Sequence, residues 1–424
     1  MKRIKTISRT PLFKVTSLNS ISILIKISTG LIISKVLAIF IGPGGMALVG
    51  NLRNFLTATE TITTLGFQNG IVRYIVMHKE DERQLPKIIA TVFICLISVT
   101  LLVSAVLFAF ASYWNNMIFG TSSDYGIIFK ILALVLPWYA TTVFLLAVMN
   151  GLGKFRNVIF STIFGNVLGL VFSAVMIWKF QTFGALLSII IPPSLLFFVA
   201  FYYLNKDIRF TQMISFEAFD VKVIQNLSGY SLMALVSSLC GPLVFIAIRN
   251  NVIDRLGLEP AGYWEAMNRI STYHMMFISS ILPLYFFPKL AAATTNKATR
   301  NVIKSYYTGI FSLFVIGMVV LYFLRYFIVN LLFTSAFVPV AGLFFWQLLG
   351  DVFKAASLIM GYQFFAKKLV LAFVLTEIFS LTLMYAFSHF FIVFYGIEGV
   401  VMAHALTYFI YFLVLAIYFR KSLF

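Results

Sequence analysis

The sequence predicts an all-α integral membrane protein of about twelve transmembrane helices. Three observations carry this. Of the 424 residues, 61% are hydrophobic and only 11% are charged, whereas a soluble domain carries about 25% charged residues. The mean hydropathy is +0.97. The apolar residues form long continuous runs, such as Val92 to Phe110 and Leu369 to Phe387, not the short alternating segments of a membrane β-barrel. A helix needs ~20 such residues to cross the hydrocarbon.

Taken in order, the runs place spans at 17–40, 51–77, 88–110, 127–149, 157–178, 184–204, 223–249, 262–288, 302–323, 340–363, 369–391 and 396–419. Glycine and proline punctuate them at Gly42-Pro43-Gly44-Gly45, Asn150-Gly151, Pro260 and Gly396. The N-terminus is basic (Lys2, Arg3, Lys5, Arg9, Lys14) and no small-residue cleavage site follows, so it reads as retained. Cys95 and Cys240 both fall inside apolar runs and read as buried free thiols, with no disulfide or metal framework.

The net charge of +18 would suggest nucleic acid in a soluble chain. Here the basic residues cluster between spans and report topology, so no nucleic-acid partner is expected. With the N-terminus inside, cytoplasmic segments hold 21 of the 32 Lys and Arg residues and outer segments hold 4. That bias predicts an even number of crossings with both termini cytoplasmic, in a bacterial inner membrane.

An internal repeat is visible. Pro43-Gly44-Gly45 and Asn51 are echoed by Pro260-Ala261-Gly262 and Asn268 at an offset of 217, and Gly184 is echoed by Gly399 at 215. Each copy holds six helices, so both copies have the same orientation. This predicts two six-helix bundles, 1–205 and 206–424, related by a pseudo-two-fold along the membrane normal.

Ionisable groups inside a membrane are costly, at roughly 2.5–3.5 kcal/mol each at the centre. Twelve lie within the spans, and eight of them are basic: Lys26, Lys35, Arg53, Arg73, Lys130, Arg249, Arg269 and Lys354. The acids are Glu60, Glu265, Asp351 and Glu377. Arg53, Thr57, Glu60 and Thr64 recur at helical spacing, as do Glu265, Arg269, Thr272 and Ser279, and Gln347, Asp351, Lys354 and Ser357. Ser231, Ser238 and Arg249 line a fourth stripe. Such stripes imply a shared hydrated interior, and the basic surplus favours anions. Seven cations are therefore candidates for holding a pyrophosphate: Lys26, Lys35, Arg53, Lys130, Arg249, Arg269 and Lys354. Glu60, Asp351 and Glu377 are candidate coupling acids. The bland reading is structural pairing, as Arg53–Glu60, Glu265–Arg269 and Asp351–Lys354, or snorkelling of cations near helix ends. His78, His274, His389 and His404 are scattered without ligand spacing and read as structural. No metal site or cofactor is expected.

The run from Ser28 to Phe55, with Lys35, Gly42-Pro43-Gly44-Gly45 and Asn51-Leu52-Arg53, resembles the start of the Wzx-type flippases for O-antigen units and the enterobacterial common antigen lipid. Gly66 to Tyr74 continues the likeness, which covers about 50 residues closely and the rest by length and helix count. These proteins belong to the multidrug/oligosaccharidyl-lipid/polysaccharide exporter superfamily. The resemblance implies a transporter, not an enzyme. Its substrate would be an undecaprenyl-pyrophosphate-linked oligosaccharide, moved from the cytoplasmic to the periplasmic leaflet by alternating access. The partners implied are that lipid-linked glycan, membrane lipid, a coupling ion (proton or sodium) and a glycan polymerase. Two alternatives stand beside it. A multidrug exporter of the same superfamily would be expected to show an acidic surplus. A membrane glycan polymerase or ligase usually carries a large outer loop, but only Asn115 to Tyr125 is of any size here, and no Walker A, H-E-x-x-H or G-x-S-x-G motif occurs.

Overall fold

In the computed structural model the backbone is described for residues 11–121, 123–208 and 210–423, without the side chains of 11–20, 69, 207, 226 and 228–232. The basic residues Lys2, Arg3, Lys5 and Arg9 lie outside these, as do the side chains of Lys14 and Ser231. Among the described residues the chain is helical and has no strand.

The principal helices are α1 Pro11–Phe40, α2 Gly42–Thr63, α3 Gln68–His78, α4 Gln84–Ala109, α5 Ala111–Phe119, α6 Gly126–Gly151 and α7 Phe155–Ile208. They continue with α8 Val221–Leu235, α9 Gly241–Leu256, α10 Leu258–Ile281, α11 Phe287–Ala292, α12 Asn296–Tyr306, α13 Ser312–Phe323, α14 Arg325–Leu332, α15 Val340–Ala366, α16 Val370–Tyr395 and α17 Glu398–Tyr418. Among the described residues, ten helical runs are long and apolar enough to cross a membrane. Two further crossings follow from the backbone. The 54 residues of α7 would extend about 80 Å if straight, far beyond the ~30 Å hydrocarbon. Instead Gln181 (φ 47°, ψ −123°) breaks the helix, and Gly184 packs so tightly on the Met176 carbonyl that a Cβ there would overlap it. The helix therefore folds back and crosses twice. The polar α2, with Asn51, Arg53 and Glu60, is 22 residues long and supplies the twelfth.

The first α2 boundary differs from the sequence expectation. Pro43-Gly44-Gly45 is the first turn of α2, not a loop, and Pro260 likewise sits in the first turn of α10. Proline is tolerated there because the N–H it lacks has no helical partner. The break comes later, at Leu65 (φ 53°) and Gly66 (φ 64°), which part α2 from α3.

The duplication is written into the backbone. Six left-handed residues fall in three pairs, Gly42 with Gly257, Gly153 with Lys368, and Gln181 with Gly396, each pair 215 apart. Helix ends keep the same interval, with Gly151 and Ala366 closing α6 and α15, and Phe155 and Val370 opening α7 and α16. Gly399 packs on the Phe391 carbonyl as Gly184 does on Met176, eight residues back in each case. The register is thus 215 throughout, which corrects the offset of 217 read from the proline-glycine echo.

By packing, the chain forms two compact units. One holds the described residues up to Val36 together with Leu52–Leu239, and the other holds Leu37–Asn51 and Cys240–Phe424. In the first unit, Phe67 at the start of α3 and Ile71 and Ile75 within it meet Ile88 and Val92 of α4, Phe144 and Val148 of α6, and Leu227 of α8 in one apolar core. Gly151 lets α6 approach: a Cβ there would lie 2.7 Å from Ile75 Cβ. Asp81 caps α4, accepting from the Arg83 and Gln84 N–H groups at 3.0 Å. In the second unit, the Tyr306 and Tyr307 hydroxyls donate to the Ala355 and Ala356 carbonyls at 2.7 and 2.8 Å, tying α12 to α15. Cys95 and Cys240 are free thiols, half-buried.

Candidate functional site

Two buried polar clusters lie in the second unit. The first centres on Arg249 of α9, which is 1% exposed. Its Nη2 pairs with Glu265 Oε2 at 2.8 Å and its Nη1 donates to Asn51 Oδ1 at 3.0 Å. The guanidinium carbon lies 5.1 Å from the Trp264 ring centre. Glu265 uses its other oxygen to accept from Arg269 Nε at 3.0 Å, one turn along α10. Asn51 in turn donates to Asn250 Oδ1 at 2.8 Å. The first turns of α2 are therefore fastened to α9 and α10. Glycine makes this fit: a Cβ at Gly50 would collide with the Glu265 carboxylate, and one at Gly262 with the Pro43 carbonyl. Of the predicted pairs, Glu265–Arg269 is thus present, with Arg249 added to it.

The second cluster surrounds Asp351 of α15, which is fully buried. One carboxylate oxygen accepts from Ser271 Oγ at 2.7 Å and faces His274 Nε2 at 2.9 Å. The other faces His404 Nε2 at 3.0 Å and accepts from Gln347 Nε2 at 3.3 Å. The partners come from α10, α15 and α17, and two of them are imidazoles. His274 Nδ1 is buried without a hydrogen-bond partner among the described residues. Gly350 makes room for the second ring, since a Cβ there would overlap His404 Cδ2. Asp351 and Lys354 are not in ion-pair contact; Lys354 Nζ lies 5.0 Å from the Tyr408 ring centre, within electrostatic reach of both Asp351 and Glu377.

In the first unit Glu60 is half-buried. Gln68 Nε2 donates to its Oε1 at 2.9 Å and the Tyr139 hydroxyl donates to its Oε2. The predicted stripe on α2 is partly self-bonded: Thr57 donates to the Arg53 carbonyl at 3.0 Å, and Thr64 to that of Glu60 at 2.8 Å. Lys26 is exposed and Lys35 and Arg53 are half-buried. Lys130 is exposed, 6.0 Å from the Phe108 ring centre. The structure therefore gathers Arg249 with Arg269, and Asp351 with two histidines, within the second unit, while Lys26, Lys35, Arg53 and Lys130 belong to the first.

His274 and His404 were read from the sequence as structural, yet they meet on Asp351. The available signal was the intramembrane position itself, which marks an ionisable residue as functional by default. Asn51 was marked by the repeat and by the Asn51-Leu52-Arg53 motif but not as a partner of Arg249, and Tyr139 and Asn250 had no signal beyond being polar.

Residues 12–294 match the family described as polysaccharide biosynthesis protein. The chain belongs to that family. Over 392 residues it is 29% identical to the lipid III flippase of Escherichia coli (strain K12), covering 92% of this chain and 94% of the relative, and the Shigella flexneri lipid III flippase matches equally. Among solved structures, the lipid II flippase MurJ in an inward closed conformation superposes with a TM-score of 0.74 at 15% identity, covering 96% of this chain and 87% of that one. A multidrug resistance MATE family transporter of the MOP superfamily, inward-facing, gives 0.73 at 15% identity over 95% of each chain. At that identity the structures speak to the fold, which is the all-α, twelve-helix membrane fold derived above.

Proposed function

We propose that this chain is a transporter that flips a lipid-linked oligosaccharide across the bacterial inner membrane. The observation that carries the reading is the near full-length likeness to a lipid III flippase. The finer reading is an undecaprenyl-pyrophosphate-linked O-antigen or common-antigen-like repeat unit, moved from the cytoplasmic to the periplasmic leaflet. The two six-helix repeats, 1–205 and 206–424, are the halves that alternate, both termini are cytoplasmic, and a glycan polymerase takes the product. The basic surplus within the spans supports an anionic head group, with Lys26, Lys35, Arg53 and Lys130 as the recognition cations. Arg249 and Arg269 serve the fold first, because both are engaged with Glu265.

Asp351 is the coupling acid in this reading, with His274 and His404 as its proton partners. Histidine can hold a proton on one ring nitrogen or on both, which makes the pair a route for protons in this reading. Taking a proton turns a hydrogen bond to the Asp351 carboxylate, already charge-assisted, into an ion pair, tightening α10 and α17 onto α15; losing it loosens them. Glu377 faces Lys354 and Glu60 faces Tyr139, so neither has a titratable partner near neutral pH.

Deleting the gene and analysing the lipid fraction tests the function. Accumulation of one lipid-linked oligosaccharide, reversed by the wild-type gene, is expected. An unchanged lipid profile with raised drug susceptibility would mark a multidrug exporter instead.

A further inference from the structure

The fold-back at Gln181 sets the two arms of α7 side by side and antiparallel. The arms touch where Gly165 faces Leu196, with a Cβ at Gly165 falling 3.1 Å from the leucine, and where Gly169 faces Pro192. Between this point and the open end they enclose a groove of about 360 Å³, lined by Phe160, Phe164, Phe198, Val199, Tyr202 and Tyr203. The sequence builds it symmetrically. On the outgoing arm Arg156, Phe160 and Phe164 follow at steps of four; on the returning arm Lys206, Tyr202 and Phe198 do so in reverse. Each arm thus presents a cation and then two rings on one helix face. Both cations are exposed and lie at the open end. The Arg156 guanidinium carbon is 5.4 Å from the Phe160 ring centre, which aims it at the groove mouth.

We infer that this groove holds the first isoprene units of a polyprenyl pyrophosphate, with Arg156 and Lys206 on the pyrophosphate. The inference rests on the flippase reading and names a tail site for its substrate. An interfacial aromatic belt would put rings at one depth around the protein. Here two rings follow one another along about 6 Å of each arm, Phe160 to Phe164 and Phe198 to Tyr202, and face one another across a single groove. That shape takes one chain, and rings on both walls suit a tail of flat, methyl-branched alkenes. A pyrophosphate offers oxygens both to the bidentate fork of Arg156 and to the point charge of Lys206, where a phosphodiester lipid brings less charge and two tails. The charge bias places this mouth at the cytoplasmic face, where the substrate enters.

Photolabelling of the full-length protein in phosphatidylcholine nanodiscs tests the groove. The probe is undecaprenyl pyrophosphate carrying a diazirine near its head. Label is expected on peptides spanning 155–165 and 197–206, displaced by unlabelled undecaprenyl pyrophosphate at a concentration at least tenfold below that of phosphatidylglycerol. Phe160→Ala/Phe164→Ala/Tyr202→Ala should cut labelling at least fivefold with an unchanged melting temperature, because these rings are surface groups. Arg156→Gln/Lys206→Gln should let undecaprenol compete as well as its pyrophosphate. Equal competition by phosphatidylglycerol, or label elsewhere on the protein, overturns the assignment. Labelling reads binding without transport. A wild type that labels in the groove but flips nothing sinks the flippase reading, whereas one that flips with an unlabelled groove sinks only the groove.

Discussion

The Arg249 and Asp351 clusters lie in the same compact unit, are equally buried and each joins three helices, yet their chemistry differs. In the first, one carboxylate is held by two guanidinium groups that cannot lose their protons at any pH a cell meets. In the second, one carboxylate is held by two imidazoles, a hydroxyl and an amide, and its environment changes by single protons. In the proposed reading the first is a fixed fastening and the second is a switch. Burial of charge alone does not mark a transport site; what matters is whether the partner can titrate.

The largest expected effect comes from breaking the fixed cluster. Glu265→Gln leaves two buried guanidinium groups with no carboxylate between them, and removing one partner of a buried pair costs about 3–5 kcal/mol. The melting temperature in detergent should fall sharply, and the protein should be poorly recovered from membranes. Asp351→Asn should behave in the opposite way. Its imidazoles can turn neutral and still hydrogen-bond the amide, so the variant should melt close to wild type while losing proton-dependent transport at least tenfold. If Asp351→Asn unfolds as readily as Glu265→Gln, the two clusters do not differ as described.

Much of this difference was hidden from the sequence, for a physical reason. Helical spacing tells which side chains share a face, and it placed the twelve crossings, the Glu265–Arg269 pair and the Gln347–Asp351 stripe. It does not tell which faces meet. Asp351 finds Ser271, His274 and His404 at sequence separations of 80, 77 and 53, so its predicted partner Lys354, three residues away, was only the nearest in sequence. Arg249 lies near a helix end, where snorkelling was the bland reading, but the tip of α1 and α2 (Leu37–Asn51) folds into the same unit and buries it. The repeat was legible only loosely, since its true markers are left-handed backbone positions, two of which are filled by Gln181 and Lys368 where glycine might be looked for.

Two glycine variants sharpen the comparison with smaller effects. Gly50→Ala drives a methyl into the Glu265 carboxylate; forcing extra volume into a packed site typically costs about 1–3 kcal/mol, to be seen as a lower melting temperature with the pH profile of transport unchanged. Gly350→Ala pushes on the His404 ring, and should instead displace the pH midpoint of transport. Identical pH profiles for Gly350→Ala and wild type would detach His404 from coupling. The smallest effect lies outside the membrane. The Gln84 and Arg83 N–H groups hold the Asp81 carboxyl below the usual carboxylate range. A depressed carboxylate adds stability above its unfolded pKa, and that stability fades as pH falls through the folded value. Asp81→Asn should therefore flatten a slight acid-side loss of stability and leave transport untouched, as a thermal series from pH 5 to pH 3 would show.

The most direct test of proton coupling at Asp351 is flipping in sealed vesicles with and without an imposed pH gradient. Wild type and Asp351→Asn are reconstituted at equal density with an undecaprenyl-pyrophosphate-linked oligosaccharide as substrate. The gradient should accelerate wild-type flipping at least tenfold and leave Asp351→Asn at its gradient-free rate. Equal acceleration of both proteins would contradict the assignment of Asp351 and its two histidines as the coupling site.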